Sequence, residues 1–248
     1  MAMRLVRLTG QDCPVWLGPA LHIYVAAMEY PRGTENNRVA LWREHIARPG
    51  WTAYAVIHTP AVDTPTQGHP SPPADPRRLI RAPIARSANE SMVGIAYGYR
   101  GAEDQWWNQQ LRTGLRLTGH SSAEIAEIAT GYFELTELHV HPDAQGHGIG
   151  QWLLRALLAD RPESHVLLST PEIPAERNRA WALYRRMGFV DVLRHFTFTG
   201  DPRPFAFLGR ALPLQEQPVP YPPAPYPPVL HPERAAYPPA DPSTSHRR

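Results

Sequence analysis

Residues 133–158 read FELTELHVHPDAQGHGIGQWLLRALL. Phe133, Leu135, Leu138 and Val140 are apolar positions of a strand. His141-Pro142-Asp143 ends it, because Pro142 has no N–H to give to a ladder. A glycine-rich turn, Gln145 to Gly150, follows. Then Ile149, Trp152, Leu153, Ala156 and Leu157 fall at i, i+3, i+4, i+7 and i+8, one stripe of a helix. The order strand, glycine-rich turn, helix sets the expected fold.

Such a turn suits an anion. The first N–H groups of a helix lack intrahelical partners, and the helix dipole adds partial positive charge there. Gly146, Gly148 and Gly150 carry no side chains to hold an anion off those groups. The turn is neither a P-loop, which needs a Lys-Ser/Thr pair, nor the GxGxxG of dinucleotide folds. The same glycines would also serve a tight turn that binds nothing.

Gln145-Gly146-His147-Gly148-Ile149-Gly150 resembles Q/R-x-x-G-x-G/A, the pyrophosphate loop of the GNAT (Gcn5-related N-acetyltransferase) superfamily. Leu138-His139-Val140-His141-Pro142 is similar to the L-x-V-x-P that precedes it there. The resemblance implies an α/β (α+β) fold: a mixed, mostly antiparallel seven-stranded sheet flanked by helices, with a V-shaped cleft between strands 4 and 5. It implies acetyl-CoA, or another acyl-CoA, as co-substrate. Backbone groups near Leu138, His139 and Val140 would pair with the pantetheine arm. The N–H groups of Gln145, Gly146, His147, Gly148, Ile149 and Gly150 would hold the diphosphate.

A second segment, residues 177–189, resembles N-x-x-A-x-x-L-Y-x-x-x-G-F through Ala180, Leu183, Tyr184, Gly188 and Phe189. Arg177 stands where the family has asparagine, and Asn178, the candidate for that cofactor contact, comes one residue late. Acyl transfer from a thioester to an amine needs a neutral nucleophile, a polarised carbonyl and a proton for the leaving thiolate. The family's tyrosine beside the sulfur matches Tyr184, the candidate acid. Glu137, one residue before Leu138, is the candidate base, with His139 and His141 behind it. Strand alternation puts Glu137 and His139 on one face and Glu134 on the other, unless a bulge intervenes. Tyr184 would otherwise pack in the core, and Glu137 would otherwise be a solvated strand residue. His139-x-His141 lacks an evident third ligand, so no metal is expected.

Composition bounds the rest. The 248 residues carry a formal charge of +2 and 42% hydrophobic side chains. That supports a packed core and argues against a dedicated nucleic-acid binder. All 25 basic residues of the Lys+Arg count are arginine, and the lone Cys13 excludes an intrachain disulfide. The N-terminus lacks an apolar signal core and no run of about 20 apolar residues can span a bilayer. No membrane partner and a cytoplasmic location follow as expectations.

Periodicity predicts helices over residues 15–30, 34–47, 106–118 and 176–187. It predicts strands over residues 3–8, 51–57, 91–100, 165–170, 189–198 and 205–212. Residues 123–129 fit either a short helix or the start of a strand. The link between the third and fourth strands, 101–131, is longer than in the family, and its extra part is expected near the acceptor side. Of the neighbours Trp106 and Trp107, only one can join a core stripe. Residues 1–212 are thus one acyltransferase domain with a long proline-rich loop over 58–89. Residues 213–248, with Tyr-Pro-Pro at 221, 226 and 237, form a tail expected to be disordered.

The function expected is N-acyl transfer to an amine-bearing acceptor of open class. The alternative is an acyl-CoA-binding sensor or scaffold without turnover. A homodimer and a proline-recognising partner for the tail are open as further partners.

Overall fold

The computed structural model describes residues 2–59 and 90–214. The proline-rich loop over 58–89 and the tail over 213–248 lie outside the described residues, apart from 58–59 and 213–214. In chain order the strands are β1 (Ala2–Leu8), β2 (Thr52–Thr59), β3 (Ser91–Arg100), β4 (Tyr132–Val140), β5 (His165–Pro171), β6 (Val190–Thr197) and β7 (Pro204–Ala211). The helices are α1 (Cys13–Ala27), α2 (Val39–Ile46), α3 (Trp106–Leu117), α4 (Ser122–Ile128), α5 (Ile149–Leu158) and α6 (Arg179–Arg186). The strands form one sheet of order β1-β2-β3-β4-β5-β7-β6.

All neighbours run antiparallel except β4 and β5, which are parallel. That pair holds only from Tyr132–His165 to Glu134–Leu167, and the two strands then part. β4 stays paired with β3 as far as Val140–Gly94, and β5 with β7 as far as Pro171–Phe205. The expected cleft is therefore a wedge in the sheet, with backbone edges on both sides.

α5 and α6 cover one face, with Leu153, Leu157, Trp181 and Leu183 buried against Phe133, Leu135, Val166 and Leu168. α1 and α2 cover the other face over β1 to β3. α3 and α4 lie on that same second face, over β5, β7 and β6. Residues 123–129 resolve as helix because Ser121 and Glu124 form a reciprocal capping box. Trp106 is the exposed member of its pair and stacks on Phe198. Trp107 is half-buried and gives its indole N–H to Ser169 Oγ at 3.0 Å, on β5 past the parting.

Several boundaries move for local reasons. β2 runs two residues further than expected, because Ala2 and Met3 pair with Thr59 and His58. The helix expected from Thr34 is a 3-10 turn, Thr34–Asn37, followed by α2. α6 begins at Arg179 rather than Glu176. Ala175 and Glu176 have positive φ, and the Asn178 side chain caps the helix by accepting from Trp181 N–H at 2.8 Å.

β4 carries a bulge. Tyr97 faces Glu137, but Gly98 faces Leu135, which leaves Thr136 as the extra residue. Glycine at 98 is required there. A Cβ would lie 2.1 Å from the Glu134 carbonyl oxygen and 2.7 Å from ring atoms of Phe133. Gly98→Ala is expected to lower stability by about 3 kcal/mol. Urea denaturation checks this, and an unchanged midpoint would show that the bulge relaxes around the methyl group.

Candidate active site

The turn after β4 begins with Pro142–Ala144, one 3-10 turn capped by His141. Gly146 and Gly148 then take left-handed φ of 86° and 77°, with open space where a side chain would stand. Gly150 is glycine for another reason: a Cβ there would lie 3.1 Å from Leu183 Cδ2 of α6. Two of the three glycines thus shape the turn, and the third lets α5 approach α6.

Backbone bonding resumes at Trp152 N–H, which donates to Gly148 O. Gln145 N–H, expected among the diphosphate donors, is instead given to Pro142 O at 3.2 Å, whereas among the described residues no backbone or side-chain acceptor meets the N–H groups of residues 146–151. Gly146, His147 and Gly148 are exposed. No acidic side chain occupies the first turn of α5. The row of amides therefore opens outward at the positive end of a helix.

Beside it lies the free edge of β4. His141 N–H donates to Val93 O of β3, so by alternation His139 also turns its backbone toward β3 and not, as expected, toward the pantetheine arm. Leu138 and Val140 then direct theirs to the edge that β5 has left. The Val140 carbonyl is taken by Gln145 Nε2 at 3.0 Å. The Leu138 and Val140 side chains pack on the α5 face.

The bulge changes the other face. Tyr97 lies opposite Glu137 and Tyr99 opposite Glu134, so Glu134, Glu137 and His139 all point toward α1 and α2. His139 Nε2 is 2.5 Å from Glu137 Oε2, and its ring meets Tyr24 of α1 edge-on at 5.1 Å. Arg38 lies over Tyr24 at 5.3 Å. Burial, working against Arg38 and with the Glu137 charge, pushes the Tyr24 phenol up to about 12. Burial and then Glu137 push Tyr97 well up. Burial and then Arg48 hold His45 down to about 4, and its Nδ1 lies 3.0 Å from Tyr97 Oη.

Tyr184 is in α6, on the opposite face. It is 8% exposed and packs on Phe189 with ring centroids 5.6 Å apart. Its hydroxyl has no hydrogen-bond partner among the described residues. Burial, then the Glu137 charge, push its phenol well above the ordinary range. Glu137 and Tyr184, the two expected catalytic groups, thus lie on opposite faces of the sheet. Asn178 spends its Oδ1 on the α6 cap and keeps its amide N–H groups.

Sequence reasoning does not select Glu134. It is 3% exposed, its Oε1 accepts from Tyr99 Oη at 2.8 Å, and Tyr99 Oη in turn accepts from Arg48 at 2.9 Å. Its Oε2 is buried without a partner. Burial lifts this carboxyl to about 7, against the pull of Tyr99 and Arg48. Tyr24 and Arg38 carry no local signal, since α1 and α2 meet β4 only in the fold. No group of three or more His, Cys, Asp or Glu side chains among the described residues is arranged to hold a metal ion.

The chain is similar to known proteins. The acetyltransferase (GNAT) domain profile matches residues 109–191. A GCN5-like protein acetyltransferase of Mycobacterium tuberculosis (strain ATCC 25618 / H37Rv) is 51% identical over 214 residues, spanning 86% of this chain and 100% of that protein. A candidate GNAT-family acetyltransferase from Desulfovibrio desulfuricans shares the fold at a TM-score of 0.50 and 13% identity, over 85% of this chain and 99% of that one. An acetyltransferase from Thermus thermophilus aligns at a TM-score of 0.47 and 14% identity, over 86% and 98% of the two chains. With 51% identity over the full length of the mycobacterial relative, the chain belongs to the GNAT acetyltransferase family, whose acyl donor is acetyl-CoA.

Proposed function

We propose that the protein moves acetyl from acetyl-CoA to a primary amine carried on a protein, by direct attack in a ternary complex. The diphosphate rests on the outward amides of residues 146–151, and the pantetheine arm lies along the free edge of β4. The observation that carries this reading is that the open amides of residues 146–151 stand beside the edge where β4 parts from β5, with Glu137 on one face of the sheet and Tyr184 on the other. The mycobacterial relative, named a protein acetyltransferase, supports a protein-borne acceptor.

The amine nitrogen forms its bond to the thioester carbonyl carbon while Glu137, through a water, takes its proton. A lysine amine, with an unperturbed pKa of about 10.4, is mostly protonated at neutral pH, so it gives one proton to solvent before it attacks, and the proton that Glu137 takes is the second, released as the N–C bond forms. The Val140 N–H, on the free edge, polarises the carbonyl. The C–S bond breaks, its electron pair goes to sulfur, and Tyr184 supplies the proton. A buried phenol is a reluctant acid. The slot that raises it also disfavours a bare thiolate, so the proton moves as the pair arrives.

A second reading for the base is favoured by Glu134, whose unpartnered Oε2 and carboxyl near 7 suit a proton acceptor at neutral pH. Glu137, by contrast, is engaged by His139.

Tyr184→Phe and Glu137→Gln are each expected to lower kcat roughly 100-fold, while calorimetric acetyl-CoA binding stays close to wild type. Thiol release with an amine-bearing peptide measures the rate, and normal turnover in both variants would remove these roles. Binding with no thiol release over a broad amine panel would favour the sensor or scaffold. If Glu134 is the base, kcat/KM falls below about pH 7 and Glu134→Gln loses both rate and that limb.

The same carboxyl makes a stability prediction. Its folded value, about 7, lies above its ordinary 4.5, so between these pH values the folded state keeps a proton that the unfolded chain releases. Stability from Glu134 is complete below about 4.5 and lost as pH rises through about 7. Denaturation at pH 5 and pH 8 should show Glu134→Gln gaining on wild type by roughly 1–3 kcal/mol at the higher pH.

A further inference from the structure

Arg179 opens α6 and gives Nη1–H to Gln145 Oε1 at 2.8 Å, across 34 residues of sequence. Gln145 is the residue before the outward amides, and its Nε2 is anchored on the Val140 carbonyl. Arg179 is thus posed against the phosphate loop by a side chain that is itself fixed to β4. Gly150, in the first turn of α5, lies close to α6: a Cβ there would be 3.1 Å from Leu183 Cδ2.

The charge here is unbalanced. Arg179 is exposed and stands at the positive end of α6, where a cation is disfavoured. Neither α5 nor α6 has an acidic residue in its first turn. Arg177, two residues earlier, is also exposed. The nearby Glu176 carboxylate is engaged by Arg185 and Arg194. Gln145, the partner that Arg179 does have, is a neutral amide, which a phosphate readily displaces because charge-assisted bonds are the stronger.

Coenzyme A carries a third phosphate, on the 3′ position of its ribose, one sugar away from the diphosphate. We propose that Arg179 binds this 3′-phosphate and makes the enzyme selective for CoA thioesters over thioesters that lack it. The assignment rests on the reading that the amides of residues 146–151 hold the diphosphate. Those amides supply the donors that a diphosphate needs, whereas a phosphate monoester dianion next door calls for a guanidinium.

Calorimetry with acetyl-CoA and 3′-dephospho-acetyl-CoA tests this on wild type, Arg179→Gln and Arg179→Lys. Wild type should prefer acetyl-CoA roughly tenfold. Arg179→Gln should erase the preference by weakening acetyl-CoA alone, and Arg179→Lys should keep part of it. An unchanged melting temperature is expected, since the side chain is exposed. Equal binding of both donors to wild type, or equal weakening of both by Arg179→Gln, would overturn the role of Arg179 and leave the diphosphate reading standing. Failure of wild type to bind either donor would overturn both.

Discussion

The fold depends on a row of peptide N–H groups that it leaves without partners. Buried backbone donors are almost always satisfied, so six in succession are tolerable only where they face outward. Left-handed glycines at 146 and 148 turn them out, and the close fit of Gly150 on Leu183 keeps the helix behind them in place. The parted strands raise the same question. β4 past Glu134 and β5 past Leu167 are inner edges of a sheet with unmade ladder bonds. A sheet leaves such edges open where another extended chain can complete them. The amide-bearing arm of an acyl-CoA has that character, so the loop and the wedge ask for two ends of one ligand.

The bulge at Thr136 fixes the rest of the site. Without it Glu134 would face α5, in an apolar layer with nothing to receive a carboxyl. With it, Glu134 and Glu137 share a face, and Glu134 meets Tyr99 and, through it, Arg48. The absent side chain at Gly98 allows this, because the Glu134 carbonyl fills the space a Cβ would need. One glycine on β3 thereby decides the chemistry offered by β4.

These two features differ in how far the sequence exposes them. The amide loop is local: glycine spacing, Pro142 and the stripe from Ile149 lie within one short stretch, and the expected strand, turn and helix appear there. The bulge is nonlocal, and a period of two places Glu134 on the wrong face, since its cause lies on another strand. Apolar spacing starts α6 too early, because it cannot register the left-handed turn at Ala175 and Glu176. Ser121-x-x-Glu124 is a legible helix signal for residues 122–128, offset by the isoleucines that follow it, which also suit a strand.

The cleft divides its charges. On the α5–α6 side stand the helix starts, the free amides and Arg179, all favouring an anion. On the α1–α2 side stand Glu134, Glu137 and His139, among phenols held protonated and a His45 held neutral. Such a division would draw a donor rich in phosphate to the first side and the proposed amine, arriving as a cation, to the second. β4 is common to both, with its free edge between them. On the proposed reading the thioester carbon is where the two molecules meet, with a carboxylate on the amine's side to take its proton. In that proposal, separate fields on the two faces of one strand orient both reactants before any bond changes.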